Sequence, residues 1–306
     1  MTKMEPHVIE LAQTSEEAYC LAARGKRHNE FWWYFNGLAA FRGFSTPFAD
    51  STGRWWYRVK PGLAYPVDFF TPVDHPPSLA FAKVFLGHQY PVAEAEADSF
   101  VRMNVIHDLS GYDLSAVHSN KRRAVRKGMK NLVVEAMDPA NPDLAEEARI
   151  VWNSHVERTG WNSPMDSDRF RASWAELADW PGTTVLFARD QELRQTLCAW
   201  LLVRVIDNVV YVDTVASHTD RLANRPNDTI IFLALWSAAR QGVRRAHYAL
   251  ESRLKSLEAF KASLGFETHP FPARLRLRQP VRLLLRLLRP RAYQRLLGNP
   301  QWADET

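Results

Sequence analysis

The chain has 306 residues, 46% of them hydrophobic, with 39 Lys and Arg against 34 Asp and Glu for a net charge of +5. That length and apolar content exclude a disordered polypeptide and support one large domain or two small ones, each with a core of its own. Cys20 and Cys198 form no CxxC or Cys/His spacing, which excludes a disulfide framework and a structural zinc site; no stretch approaches the ~20 apolar residues of a membrane span, and acidic Glu5 and Glu10 stand where a signal peptide needs a basic start.

These features predict a cytoplasmic protein. The basic excess is local: from Phe271 onward, Arg274, Arg276, Arg278, Arg282, Arg286, Arg289, Arg291 and Arg295 face only Asp304 and Glu305, so the tail carries the net charge and the body is close to neutral.

Residues 1–110 are irregular and aromatic, as in "EFWWYFNG" and "GRWWYRVKPGLAYPVDFFTPVDHPP". They predict short strands and loops, because X-Pro disfavours helix and aromatic side chains favour half-buried pleated surfaces. The pairs Trp32–Trp33 and Trp55–Trp56 read as packing residues before ligand-stacking ones. The segment "DLSAVHSNKRRAVRKGM", 113–129, predicts a helix with a thin apolar side at Leu114, Val117 and Val125 and a cluster of Lys121, Arg122, Arg123, Arg126, Lys127 and, just beyond, Lys130. The cluster is either a solvated face or a site for phosphates.

After the turn "DPANPD" the pattern becomes regular. "LAEEARIVWNSHVERTG" predicts a helix ending at Gly160, and "DSDRFRASWAELADW" a second one capped by Asp166 or Ser167. "TTVLFA", "QTLCAWLLVRV" and "NVVYVDTVAS" predict three strands, and their short turns an antiparallel meander. Then comes "RLANRPND", a turn of unusual polarity, followed by an apolar helix to Gln241, a strand "RAHYALES", a helix "RLKSLEAFKASLG" and a strand from Phe266.

This order resembles the GNAT superfamily of N-acyltransferases over about residues 105–275. The pair Phe260–Lys261 before Gly265, the basic segment "SNKRRAVRKGMKN" and "RPN" ahead of a long helix resemble its FemAB-like branch. The resemblance implies an α/β (α+β) fold with a mixed, mostly antiparallel central sheet flanked by helices. It divides the chain into an aromatic region at 1–110, read as a degenerate GNAT-like half, an acyltransferase domain at 111–278 and a basic amphipathic helix and tail at 279–306. It also implies N-acyl transfer to a small-molecule or peptide amine from acyl-CoA, or from aminoacyl-tRNA, the one case in which nucleic acid is a partner. A non-catalytic GNAT-fold binding module is the reading from another class. The chain departs from the branch at "HYALES", where an acidic residue and glycine are usual, and it has no glycine-rich pyrophosphate loop.

In GNAT proteins the loop after the central strand and the next helix's N-terminus cradle the coenzyme A pyrophosphate. Carried over, this makes Arg221, Asn224, Arg225, Asn227 and Asp228 the candidate cofactor-binding set: arginines supply charge, asparagines suit the turn, and Pro226 presets the helix start. Acyl transfer to an amine needs a base and charge stabilisation. Asp213 on the central strand and Glu251 at the end of the next are the candidate bases, with Tyr211 on the face of Asp213 by the two-residue repeat. The resemblance points to Lys261 for charge stabilisation. No Walker loop, GxGxxG or HExxH is present, so a kinase, a dinucleotide enzyme and a metalloenzyme lack support and no metal is expected. Finally, "QPVRLLLRLLRPRAYQRLLG" predicts a basic amphipathic helix with Arg282, Arg286 and Arg289 on one stripe; it suits either docking on its own domain or peripheral contact with the inner face of a membrane.

Overall fold

A computed structural model describes residues 7–23, 47–60, 62–160, 162–193, 196–252 and 254–298. Trp32–Trp33, Asp304 and Glu305 lie outside the described residues. Two compact units divide the chain: 1–15, 105–249 and 256–267 form the first, and 16–104, 250–255 and 268–306 the second.

In chain order the elements begin with strand β1 (Gln13–Thr14) and helix α1 (Glu16–Ala23). The aromatic stretch that follows folds into strands β2 (Phe48–Ala49), β3 (Trp55–Lys60), β4 (Leu63–Pro66), β5 (Gly87–Pro91) and β6 (Ser99–Ile106). Helix α2 (Ser119–Asn131) starts six residues later than the sequence predicts, because Asp113 closes a turn instead, its carboxylate accepting the amide of Ser115. Strand β7 (Leu132–Met137) leads to α3 (Pro142–Thr159), which Asn141 caps by accepting the amide of Asp143 and Gly160 ends at a left-handed φ of 65°. Helix α4 (Ser167–Ala175) is capped by Asp166.

Strands β8 (Thr183–Asp190), β9 (Leu197–Ile206) and β10 (Val209–Ser217) form the expected antiparallel meander. Asp207 and Asn208, both at positive φ, make the two-residue turn between the last two. Helix α5 (Pro226–Arg240), strand β11 (Arg245–Leu250), helix α6 (Lys255–Ser263) and strand β12 (Glu267–Leu277) follow, then helices α7 (Gln279–Leu288) and α8 (Pro290–Leu296). The single basic helix expected at the C-terminus is thus two. Pro290 lacks the amide that would continue α7, and Arg289 takes an extended φ of −140°, off the stripe of Arg282 and Arg286.

The first unit is built on the sheet order β11-β10-β9-β8-β7, with β1 parallel to β9; β10 and β11 are also parallel and the rest antiparallel. Every residue of β9 is buried, which requires cover on both faces. Helices α3 and α5 both pack on it. Trp200 of β9 stacks on Trp152 of α3 at 6.0 Å, meets Trp174 of α4 edge-on at 5.3 Å and donates to the carbonyl of Ala148. The second unit orders its strands β2-β3-β4-β5-β12-β6 around Trp56, Ala64, Val84, Tyr90 and Val92. Trp56 is therefore core, as a packing role requires. This is a mixed, mostly antiparallel sheet flanked by helices, an α/β (α+β) architecture of the class expected from the sequence.

Candidate functional site

Strands β10 and β11 pair at only three registers, Val209 with Arg245, Val210 with Ala246 and Tyr211 with His247. Past Tyr211 the two parallel strands no longer pair, although each continues. Beyond this point β10 runs on to the 218–225 turn and the start of α5. At the last paired position the rings of Tyr211 and His247 meet edge-on at 5.4 Å, both buried. Burial, with the cation of Lys261, holds His247 down to about 3, so its imidazole is neutral at physiological pH.

Asp213 lies where β10 bulges, the register to β9 shifting between Val212 and Thr214. The bulge interrupts the strict alternation that would put Tyr211 and Asp213 on one face. Asp213 is 4% exposed and forms an ion pair with Arg204 of β9, itself fully buried. Arg204 is the residue that sequence reasoning passed over. Its signal is a charge inside the apolar run "LCAWLLVRVI", which demands an inward counter-ion. Glu251 belongs to the second unit, where it pairs with Arg102 at 2.5 Å and its amide bonds the Arg102 carbonyl. Lys261 is 1% exposed, with Nζ 2.9 Å from Glu258 and 5.4 Å from the centre of the Tyr248 ring. Asp213, Glu251 and Lys261 thus each have an intramolecular partner.

The turn is built from side chains. His218 accepts the amide of Asp220, Ser154 of α3 accepts that of Thr219, and the amides of Arg221 and Arg225 bond the carbonyls of His218 and Leu222. Arg225 takes a left-handed φ of 60° as it enters α5, and Pro226 has no amide to offer. The backbone is therefore largely satisfied within the turn, unlike an open glycine-rich cradle. Asn224 donates to Asp190, and Asn227 donates to the hydroxyl of Ser217 at the end of β10. The same hydroxyl receives Arg158 of α3, whose guanidinium also lies 3.2 Å from His155. Burial and Arg158 bring His155 down to about 4. Arg158, His155 and Ser217 adjoin the predicted set without having been singled out, because only the fold brings α3 to the end of β10. Asp228, in the first turn of α5, is buried and pairs at 2.5 Å with Lys121 of α2, which also sits 4.6 Å over the ring of Phe260.

Gly128 explains how α2 comes so near. A Cβ there would collide with the Thr229 hydroxyl, so only glycine allows the approach. Lys121 faces inward from the basic helix, whereas Arg123, Arg126, Lys127 and Lys130 are exposed. Among the described residues, no three His, Cys, Asp or Glu side chains gather as metal ligands, and no helix is long and apolar enough to cross a membrane.

No protein-family model matches the chain, and no curated protein matches it. Solved structures do. L-PGS from Bacillus licheniformis superposes with a TM-score of 0.53 at 10% identity, over 96% of this chain and 99% of that one. The C-terminal DUF2156 domain assigned to a lysylphosphatidylglycerol synthetase of Agrobacterium fabrum gives 0.52 at 12% identity, over 80% and 88%. FemX overlaps less closely, with 0.49 at 13% identity over 64% of this chain and 66% of that one. At these identities the likeness to the first two is one of fold.

Proposed function

We propose that the chain is an acyltransferase that takes an acyl group from a phosphate-bearing carrier, acyl-CoA in the first reading, and transfers it to an amine. The observation that carries this reading is the divergence of β10 from β11 beside a cationic, αL-capped helix start. The divergence gives an extended acyl carrier a place to lie between two strands. The phosphates of the carrier fall to Arg158, Arg221, Arg225 and Asn227 and to the amides of Asn227 and Asp228, which the geometry of a helix's first turn leaves without intrahelical partners.

In this reading Lys261, paired with Glu258, offers positive charge to the oxygen that becomes negative as the amine adds to the acyl carbonyl. Tyr211 and neutral His247 form the floor against which the acyl end packs. Asp213 and Arg204 act together as a fixed dipole behind that floor; a carboxylate already committed to a buried guanidinium is less free to take the proton of the attacking ammonium.

A second donor, aminoacyl-tRNA, is favoured by one specific feature. The amides of Thr219, Asp220, Arg221 and Arg225 are already used and the cations are side chains, with four more exposed on α2, which suits a phosphodiester chain better than a compact pyrophosphate.

Incubating the purified chain with acyl-CoA or aminoacyl-tRNA and a panel of amines, with products read by mass spectrometry, tests the proposal. A product from one donor only identifies it. No transfer from either, with the fold intact, returns the chain to a binding module.

A further inference from the structure

The second unit carries a surface unrelated to acyl chemistry. Leu283, Leu284, Leu287 and Leu288 of α7 are 60%, 58%, 70% and 67% exposed. At the helical repeat they fill one arc of roughly 140°, while Val281 and Leu285 turn toward the protein. Arg282 and Arg286 lie along the border of that arc and are held there by α8: Arg282 donates to the hydroxyl of Tyr293, and Arg286 lies 5.0 Å over its ring. At the start of α7, Arg278 lies 4.9 Å over the ring of Phe81, which is 64% exposed and extends the apolar surface. Between 278 and 298 there are six arginines and no Asp or Glu.

From this surface we infer that α7 is a docking face for an anionic lipid bilayer, lying in the interface with its leucines and Phe81 inserted and its arginines at the phosphates. Charge complementarity selects this occupant. A second copy of the chain would bring six arginines against six. A nucleic acid would meet four leucines where it needs cations. An anionic membrane offers an apolar interior for the arc and phosphates for its border. With ten residues α7 lies on a bilayer and does not cross it.

Vesicle sedimentation of the full chain tests this, using phosphatidylcholine vesicles with and without phosphatidylglycerol. The chain is expected to sediment with the anionic vesicles, weakly with the neutral ones, and less as salt rises. The L284Q/L287Q/L288Q variant should lose binding by at least about tenfold. L287Q alone, at the most exposed position, gives the same readout in smaller measure should the triple variant misfold. Equal binding by wild type and leucine variants would overturn the inference, as would no binding to anionic vesicles. A concentration-dependent dimer that the leucine variant abolishes, without vesicle binding, would assign the face to a second copy instead.

Discussion

Lys261 joins stability and chemistry in one side chain. It is almost wholly buried, and its charge is balanced by Glu258. Lys261→Ala is expected to lower turnover more than tenfold and also to cost about 1–3 kcal/mol in urea unfolding, because it strands the carboxylate of Glu258. Adding Glu258→Gln should restore most of the stability and none of the turnover, which separates the two roles. Ala249 is a second informative residue: it holds a left-handed φ of 69° in β11, a conformation that costs any residue with a Cβ. Ala249→Gly should therefore stabilise the protein by roughly 1 kcal/mol, measured as a shift in the urea midpoint. Two buried histidines, His247 and His155, and the half-buried His88 set the pH response. Burial and neighbouring cations lower His247 to about 3 and His155 and His88 to about 4, from an ordinary value of 6.5. The folded chain refuses protons that the unfolded chain accepts, so stability is full above pH 6.5 and falls as pH drops from there toward 3. The slope should approach ~1.4 kcal/mol per pH unit for each histidine, and His247→Asn should remove one share of it.

The turn at 218–225 and the helices around it explain why such a polar segment precedes so buried a helix. Its side chains fasten α5 to its neighbours: Asn224 to β8, Asn227 to the end of β10, Asp228 to α2. Gly128 is the weak point of that assembly. Gly128→Ala is expected to push α2 away from α5 and to cost about 1–3 kcal/mol; pairing it with Thr229→Ser should not rescue it, since the hydroxyl is the nearest clash. From α3 to β12 the elements were legible in the sequence, because caps at Asn141, Asp166 and Gly160 and the Asp207–Asn208 turn are local signals. The break at Pro290 was legible too, but the leucine and arginine periodicity on either side masked it. Helix α1 was not foreseen, as its eight residues bury little more than Tyr19 and Cys20 and leave almost no periodic trace.

Across the molecule, the architecture could be read from the sequence further than the candidate site could. Element order follows from the chain itself, whereas the pairing of Arg204 with Asp213, or of Arg158 with Ser217, depends on strands and helices distant in sequence coming side by side. The aromatic first third shows the same divide. Trp56 was legible as a core residue, but not the placement of β12 beside β5, which needs the end of the chain to complete a sheet begun near its start. In the proposed function the start of α5 seats the phosphates of an acyl carrier. A calorimetric titration of the purified chain with coenzyme A, repeated on the Arg225→Ala/Asn227→Ala variant, tests it most directly. Saturable binding that weakens at least about tenfold in the variant, with unchanged thermal unfolding, is the result expected. Binding of equal strength in both proteins would place the phosphates elsewhere and contradict the account; no binding in either would remove coenzyme A and leave aminoacyl-tRNA as the carrier to titrate against the same pair of proteins.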